Sequence, residues 1–83
     1  MRLSNEEFEM ALAAMKASMR KRLTQASAEK SGFVEFDADT GGDVYDALME
    51  YVTLHGFDRD YRLTPQGRAL EAIADSIFDQ LEE

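Results

Sequence analysis

Cysteine and tryptophan are absent from this chain, and proline occurs once. Without cysteine there is no disulfide to staple a small domain and no thiolate to serve as nucleophile or structural metal ligand. No apolar run approaches the roughly 20 residues that cross a bilayer. The opening segment MRLSNEEFEM has carboxylates where a secretory leader needs an apolar core, so a cytoplasmic location is expected. Positive charge is also scarce: nine Lys/Arg stand against seventeen Asp/Glu, a formal charge of −8. Residues 1–30 hold six cations and four acids, whereas residues 31–83 hold three cations and thirteen acids. A chain so polarised repels nucleic acid through its later part and attracts basic partners.

What remains is an ordinary globular composition, 45% hydrophobic, which argues against disorder. Eighty-three residues make a single domain, residues 1–83. A chain of that size buries only about 60–65% of its unfolded surface. Its stability must come from helix packing or from self-association.

Ser4 followed by Glu7 is a capping box, with Leu3 and Phe8 placed to staple the first turn. Phe8, Leu12, Met15, Met19 and Ala26 then recur at helical spacing, with Leu23 close to the stripe. The spacing predicts one helix from about Asn5 to Lys30, ended by Gly32. Phe33–Phe36 is rich in β-favouring residues and reads as a short strand, followed by a loop, DADTGGD. Val44, Leu48, Val52 and His55 share one side of a second helix, capped by Asp43 or Thr40 and ended by Gly56. FDRDYRLT alternates apolar and polar residues, the period of a strand. Thr64–Pro65 is a strong helix start, and Leu70, Ile73, Ala74, Ile77, Phe78 and Leu81 make its apolar stripe. The expected fold is α+β and mostly helical: three helices with a minor two-stranded β element, in the order α-β-α-β-α.

Few residues carry recognisable chemistry. In the Asp-rich loop, Asp37, Asp39 and Gly42 fit a calcium-loop pattern, but Gly41 stands at the third ligand position and Leu48 at the closing glutamate. The loop therefore lacks the bidentate oxygens that close such a site. His55, the single histidine, has no nucleophile in a recognisable turn and reads as a core-edge residue. TGGD has neither the lysine of a phosphate loop nor dinucleotide-site spacing. No catalytic, cofactor-binding or metal residue is assigned, and an enzyme is not expected. Met10, Met15 and Met19 read as core, with an adaptable binding groove as the alternative.

Two acidic rows are the most distinctive feature. Asp39, Asp43, Asp46 and Glu50 step by four, three and four residues; Glu71, Asp75, Asp79 and Glu82 step by four, four and three. On helices these place carboxylates about 4.5–6 Å apart along one face. That pitch is comparable with phosphates on a nucleic-acid strand, about 3.4 Å of rise per charge.

YRLTPQGRAL, Tyr61 to Leu70, resembles the segment that follows the wing in winged-helix regulators of the MarR and PadR type. The resemblance covers under a quarter of the chain. It implies that the helix from Pro65 onward helps form a dimer. The rest departs from the pattern: a winged helix needs two short helices before the wing, the second entering the major groove. Here only one helix is expected between the two strands, and Asp43 to Gly56 has three acids and no Lys or Arg.

The expected function is a non-enzymatic protein-binding regulator or inhibitor, similar in size and charge to phage anti-restriction and anti-CRISPR proteins. Asp43, Asp46, Glu50, Glu71, Asp75 and Asp79 would occupy a basic groove on a partner protein, such as a nucleic-acid-handling complex. Direct nucleic-acid contact and a membrane are not expected. A homodimer is expected through Leu70, Ile73, Ile77, Phe78 and Leu81. The alternative is a winged-helix-like DNA-binding transcriptional regulator using Lys16, Arg20, Lys21, Arg22, Arg59 and Arg62.

Overall fold

The computed structural model describes residues 1–82. Its elements are β1 (Arg2–Ser4), α1 (Asn5–Ala13), α2 (Ala17–Ala26), β2 (Ala28–Lys30), β3 (Phe33–Glu35), α3 (Ala38–His55) and α4 (Pro65–Leu81). The fold is mostly helical with a small antiparallel sheet, but among the described residues four helices and three strands replace the expected three and two.

The capping box forms as the sequence requires. Ser4 Oγ accepts from Glu7 N at 3.1 Å, and Glu7 Oε1 accepts from Ser4 N at 2.9 Å. The helix it opens does not continue to Lys30. It stops at Ala13, and Ala14–Lys16 turn the chain before α2 begins. No glycine or proline marks this break, because packing causes it. Turning the chain buries Ala11, Ala14, Met15 and Leu23 together, whereas Ala26, read as part of the stripe, is exposed.

β3 is the central strand, flanked by β1 and β2. Leu3 and Glu29 both pair with Val34, and Ser31–Gly32 close the β2–β3 hairpin. Gly32 has φ +86°, a left-handed conformation that glycine adopts without Cβ strain. Beyond β1, Met1 N donates to Phe36 O at 2.7 Å and Phe36 N to Met1 O at 3.0 Å. The edge of β1 is covered from α4. Arg2 N donates to Gln80 Oε1 at 2.8 Å, and Gln80 Nε2 donates back to Arg2 O at 3.0 Å.

α3 begins six residues earlier than the hydrophobic pattern suggested, at Ala38, and takes in the predicted loop. Asp37 is its N-cap, accepting from Thr40 N at 2.8 Å. Thr40, through its side-chain hydroxyl and then its backbone N–H, holds the Asp37 carboxyl below its usual range. A depressed carboxyl pKa contributes stability above the unfolded-state value, near pH 4, that is lost as pH falls through the folded value. Asp37→Ser keeps a capping oxygen that does not titrate, so the variant is expected to show a shallower loss of helix below about pH 4. Circular dichroism against pH reads this; superimposable acid limbs contradict it.

The predicted strand over FDRDYRLT is instead a closed loop with one β-bridge, Phe57 to Leu63. Asp58 Oδ1 accepts from both Asp60 N and Arg62 N, at 2.8 and 3.0 Å. The loop projects Tyr61, which is 88% exposed and has φ +60°. The alternation in the sequence there reflects loop geometry and not a sheet.

α3 and α4 pack antiparallel to form the larger part of the core, with Val44, Leu48 and Val52 against Leu70, Ile73, Ala74 and Ile77. Thr64 caps α4, its Oγ1 accepting from Gly67 N at 2.9 Å, and Thr64 N donates to Gly56 O at 2.7 Å. Here the glycine of the LTPQG stretch has its cause. A Cβ on Gly67 would lie 2.5 Å from the Gly56 carbonyl oxygen and 2.9 Å from its Cα. Backbone atoms cannot swing aside as a side chain can. Gly67→Ala is expected to cost about 1–3 kcal/mol, lowering the melting temperature by roughly 4–8 °C per kcal/mol. An unchanged thermal midpoint would show that this junction relaxes freely.

The apolar stripe of α4 is thus consumed within the chain. Leu70, Ile73 and Ile77, expected at a dimer interface, are buried against α3 and present nothing to a second copy. Of the five residues named, Phe78 and Leu81 keep exposed surface, 43% and 36%.

Candidate functional site

The break after Ala13 changes where the basic residues stand. Two short helices joined by three residues, the connection length of a helix–turn–helix, are followed directly by a β-hairpin. Two helices before a hairpin were not expected from the sequence, and they occur over residues 5–35, upstream of the stretch that suggested a wing.

The second helix of the pair, α2, reads ASMRKRLTQA. Between Glu9 and Glu29 the chain has four cations, Lys16, Arg20, Lys21 and Arg22, and no carboxylate. Leu23 is the fully buried residue of α2 and fastens it to the core. Around the helix from Leu23, Ala17, Arg20, Lys21, Thr24 and Gln25 form a shallow exposed face. Arg20 and Lys21 form no ion pair among the described residues. Arg22 lies round toward α3 and is bound to Asp43 at 2.5 Å.

The acidic rows do not make one surface. Asp43, Asp46 and Glu50 face α2 across a groove of about 480 Å³, whose other side holds Lys16 and Arg22. No residue of α4 lines that groove. Tyr51 and Tyr45 lie on opposite flanks of the buried stripe Val44–Leu48–Val52. Tyr51 is in the groove, whereas the Tyr45 ring lies 5.7 Å from that of Phe78. Glu71, Asp75 and Phe78 share one stripe of α4, so the second row sits on the flank away from α2. Glu71 is half-buried there, while Asp75 and Asp79 are exposed.

His55, read as a core-edge histidine, is exposed at the groove, its ring 5.0 Å from that of Tyr51. Arg59 and Arg62 are exposed on the loop after α3, away from the α2 cations in sequence. Met15 is core, Met19 is half-buried and Met10 is exposed. Asp37 and Asp39 are occupied as cap and first turn of α3, and no group of acids and histidine suited to a metal occurs among the described residues. No helix among these residues is long and apolar enough to cross a membrane.

From the sequence, the cations of α2 belong only to the DNA-binding alternative, on a helix expected to run unbroken from about Asn5 to Lys30. The one signal that could have separated them is the uninterrupted absence of acid from Met10 to Ala28. Against known protein families, curated proteins and solved structures, the chain has no match.

Proposed function

We propose that the protein binds duplex nucleic acid through α2, as a non-enzymatic regulator of the helix–turn–helix kind. The observation that carries this reading is the exposed, acid-free face of Ala17, Arg20, Lys21, Thr24 and Gln25 on the second of two helices joined by a three-residue turn. In such a pair the second helix enters the major groove, about 12 Å wide. Arg20 and Lys21 supply phosphate or guanine contacts, and Gln25 has the paired donor and acceptor that suit adenine. Direct contact is opposed in the sequence by the acidic later part of the chain, Asp43 to Gly56 included. Asp43 to His55 lie in α3, beside α2, and are not asked to enter the groove. The net charge of −8 still opposes approach, so binding is expected to be weak away from a preferred sequence, with a modest salt dependence set by the few phosphate contacts.

The test is retardation of a pool of random-sequence duplexes at low salt, followed by selection of the retained sequences. A retarded fraction that enriches a short motif supports the reading; no retardation of any duplex ends it.

A second reading draws on Asp75 and Asp79, which are exposed and, like Glu71, form no ion pair among the described residues. There the α4 row docks a basic protein surface, with Asp43, Asp46 and Glu50 set apart by their position against Lys16 and Arg22. Its test is salt-sensitive binding to a lysine-rich polypeptide that Asp75→Lys with Asp79→Lys removes. Binding that survives the reversal ends this second reading.

A further inference from the structure

The groove between α3 and the α1–α2 turn has the dimensions and lining of a small-molecule site. Its volume, about 480 Å³, falls within the roughly 300–1,000 Å³ of such sites. Ala14, Met15, Met19 and Ala47 contribute apolar surface, each buried or half-buried in the fold. Methionine thioethers adapt to the outline of a ligand. Tyr51 adds an aromatic wall, its ring standing 5.0 Å from His55.

The charges select the ligand class. Asp43 is already bound by Arg22. Asp46 and Glu50, four residues apart and so neighbours on α3, form no ion pair among the described residues. Of the groove's Lys and Arg among these residues, Arg22 is bound to Asp43 and Lys16 is unpaired, and His55 also lines the groove. An organic anion placed here would meet two carboxylates. A cation would meet both carboxylates in a groove that Tyr51 also lines.

We propose that this groove binds an amphipathic organic monocation: an aromatic ring on a short alkyl arm that ends in a primary ammonium. The ring lies on the Ala14–Met15–Met19–Ala47 surface, and the ammonium reaches Asp46 and Glu50. This inference goes beyond duplex binding and is tested on the free protein, so failure of either leaves the other standing.

Tryptamine is the probe, with tryptophol as the neutral counterpart and indole-3-acetate as the anionic one. Binding is followed by the methyl resonances of Met15 and Met19. Tryptamine is expected to shift both saturably, about fivefold to tenfold more tightly than tryptophol, the worth of two exposed charge contacts. Asp46→Asn with Glu50→Gln changes exposed residues only and is expected to weaken tryptamine by the same factor while leaving tryptophol unaffected. Any one of three results overturns the proposal: no saturable shift up to about 10 mM tryptamine, equal or tighter binding of tryptophol or indole-3-acetate, or a double variant that binds tryptamine as the native chain does.

Discussion

Replacing Arg20 and Lys21 by glutamate is expected to weaken duplex binding by about 30- to 1,000-fold at low salt. The estimate combines a base- or phosphate-contacting arginine, worth about 1–3 kcal/mol, with a lysine contact of about 1 kcal/mol. Reversal adds repulsion that simple removal would not. The slope of log affinity against log salt should also flatten by about two, because two fewer counterions are released. Both side chains are exposed and make no ion pair among the described residues, so the double variant should fold and melt as the native chain does. Asp75→Asn with Asp79→Asn is the matched comparison on the opposite flank. It removes two negative charges far from α2 and is expected to leave duplex affinity equal or higher. Fluorescence anisotropy on one selected duplex measures both variants. Undiminished binding after reversal at Arg20 and Lys21 would remove α2 as the contacting helix.

The second large effect concerns how α2 is held. Leu23 is wholly buried, and the rest of the helix is half-buried at Met19 or exposed. Leu23→Ala is expected to cost about 2–5 kcal/mol through lost burial and the cavity left behind. A domain of this size has only about 4–12 kcal/mol in total, so the melting temperature should fall by roughly 10 °C or more. The pattern of loss is more informative than its size. α3 and α4 pack most extensively on each other, through Val44, Leu48, Leu70 and Ile77. Amide exchange should therefore accelerate first in α2 and the β2–β3 hairpin, with α3 and α4 protected longer. Leu48→Ala, at the centre of the α3–α4 contact, should instead raise exchange across the whole chain. If both variants lose protection everywhere together, α2 is not a separately released unit.

On the proposed reading, duplex affinity would depend on how α2 is held. α2 is held by buried Leu23, half-buried Met19 and the Arg22–Asp43 ion pair. Met15 and Met19 are shared between the core and the lining of the groove beside α2.

Particular elements show what can be read from residues in a row. The Ser4–Glu7 capping box, the end of α3 at Gly56 and the Thr64–Pro65 start of α4 were all legible, because each depends on atoms within a few residues. So was the apolar stripe of α4, although its use was not. Leu70, Ile73 and Ile77 were as suited to a second copy as to α3, and only the position of α3 settles that they are core. The DADTGGD stretch misled because two adjacent glycines argue for a loop, whereas Asp37 can cap a helix that runs through them once Val44 and Leu48 are packed. In FDRDYRL, alternation without a partner strand carried no information about pairing.

From the residues alone came a mostly helical fold, its local helix signals and the segregation of its charge. Those properties follow from side-chain chemistry and short-range periodicity. The tertiary structure decided the break at Ala14–Lys16, the three-stranded sheet built on β3, and the separation of the acidic rows onto two flanks. Each depends on contacts between residues distant in the chain, whose packing energy outweighs a local preference worth less than 1 kcal/mol per residue.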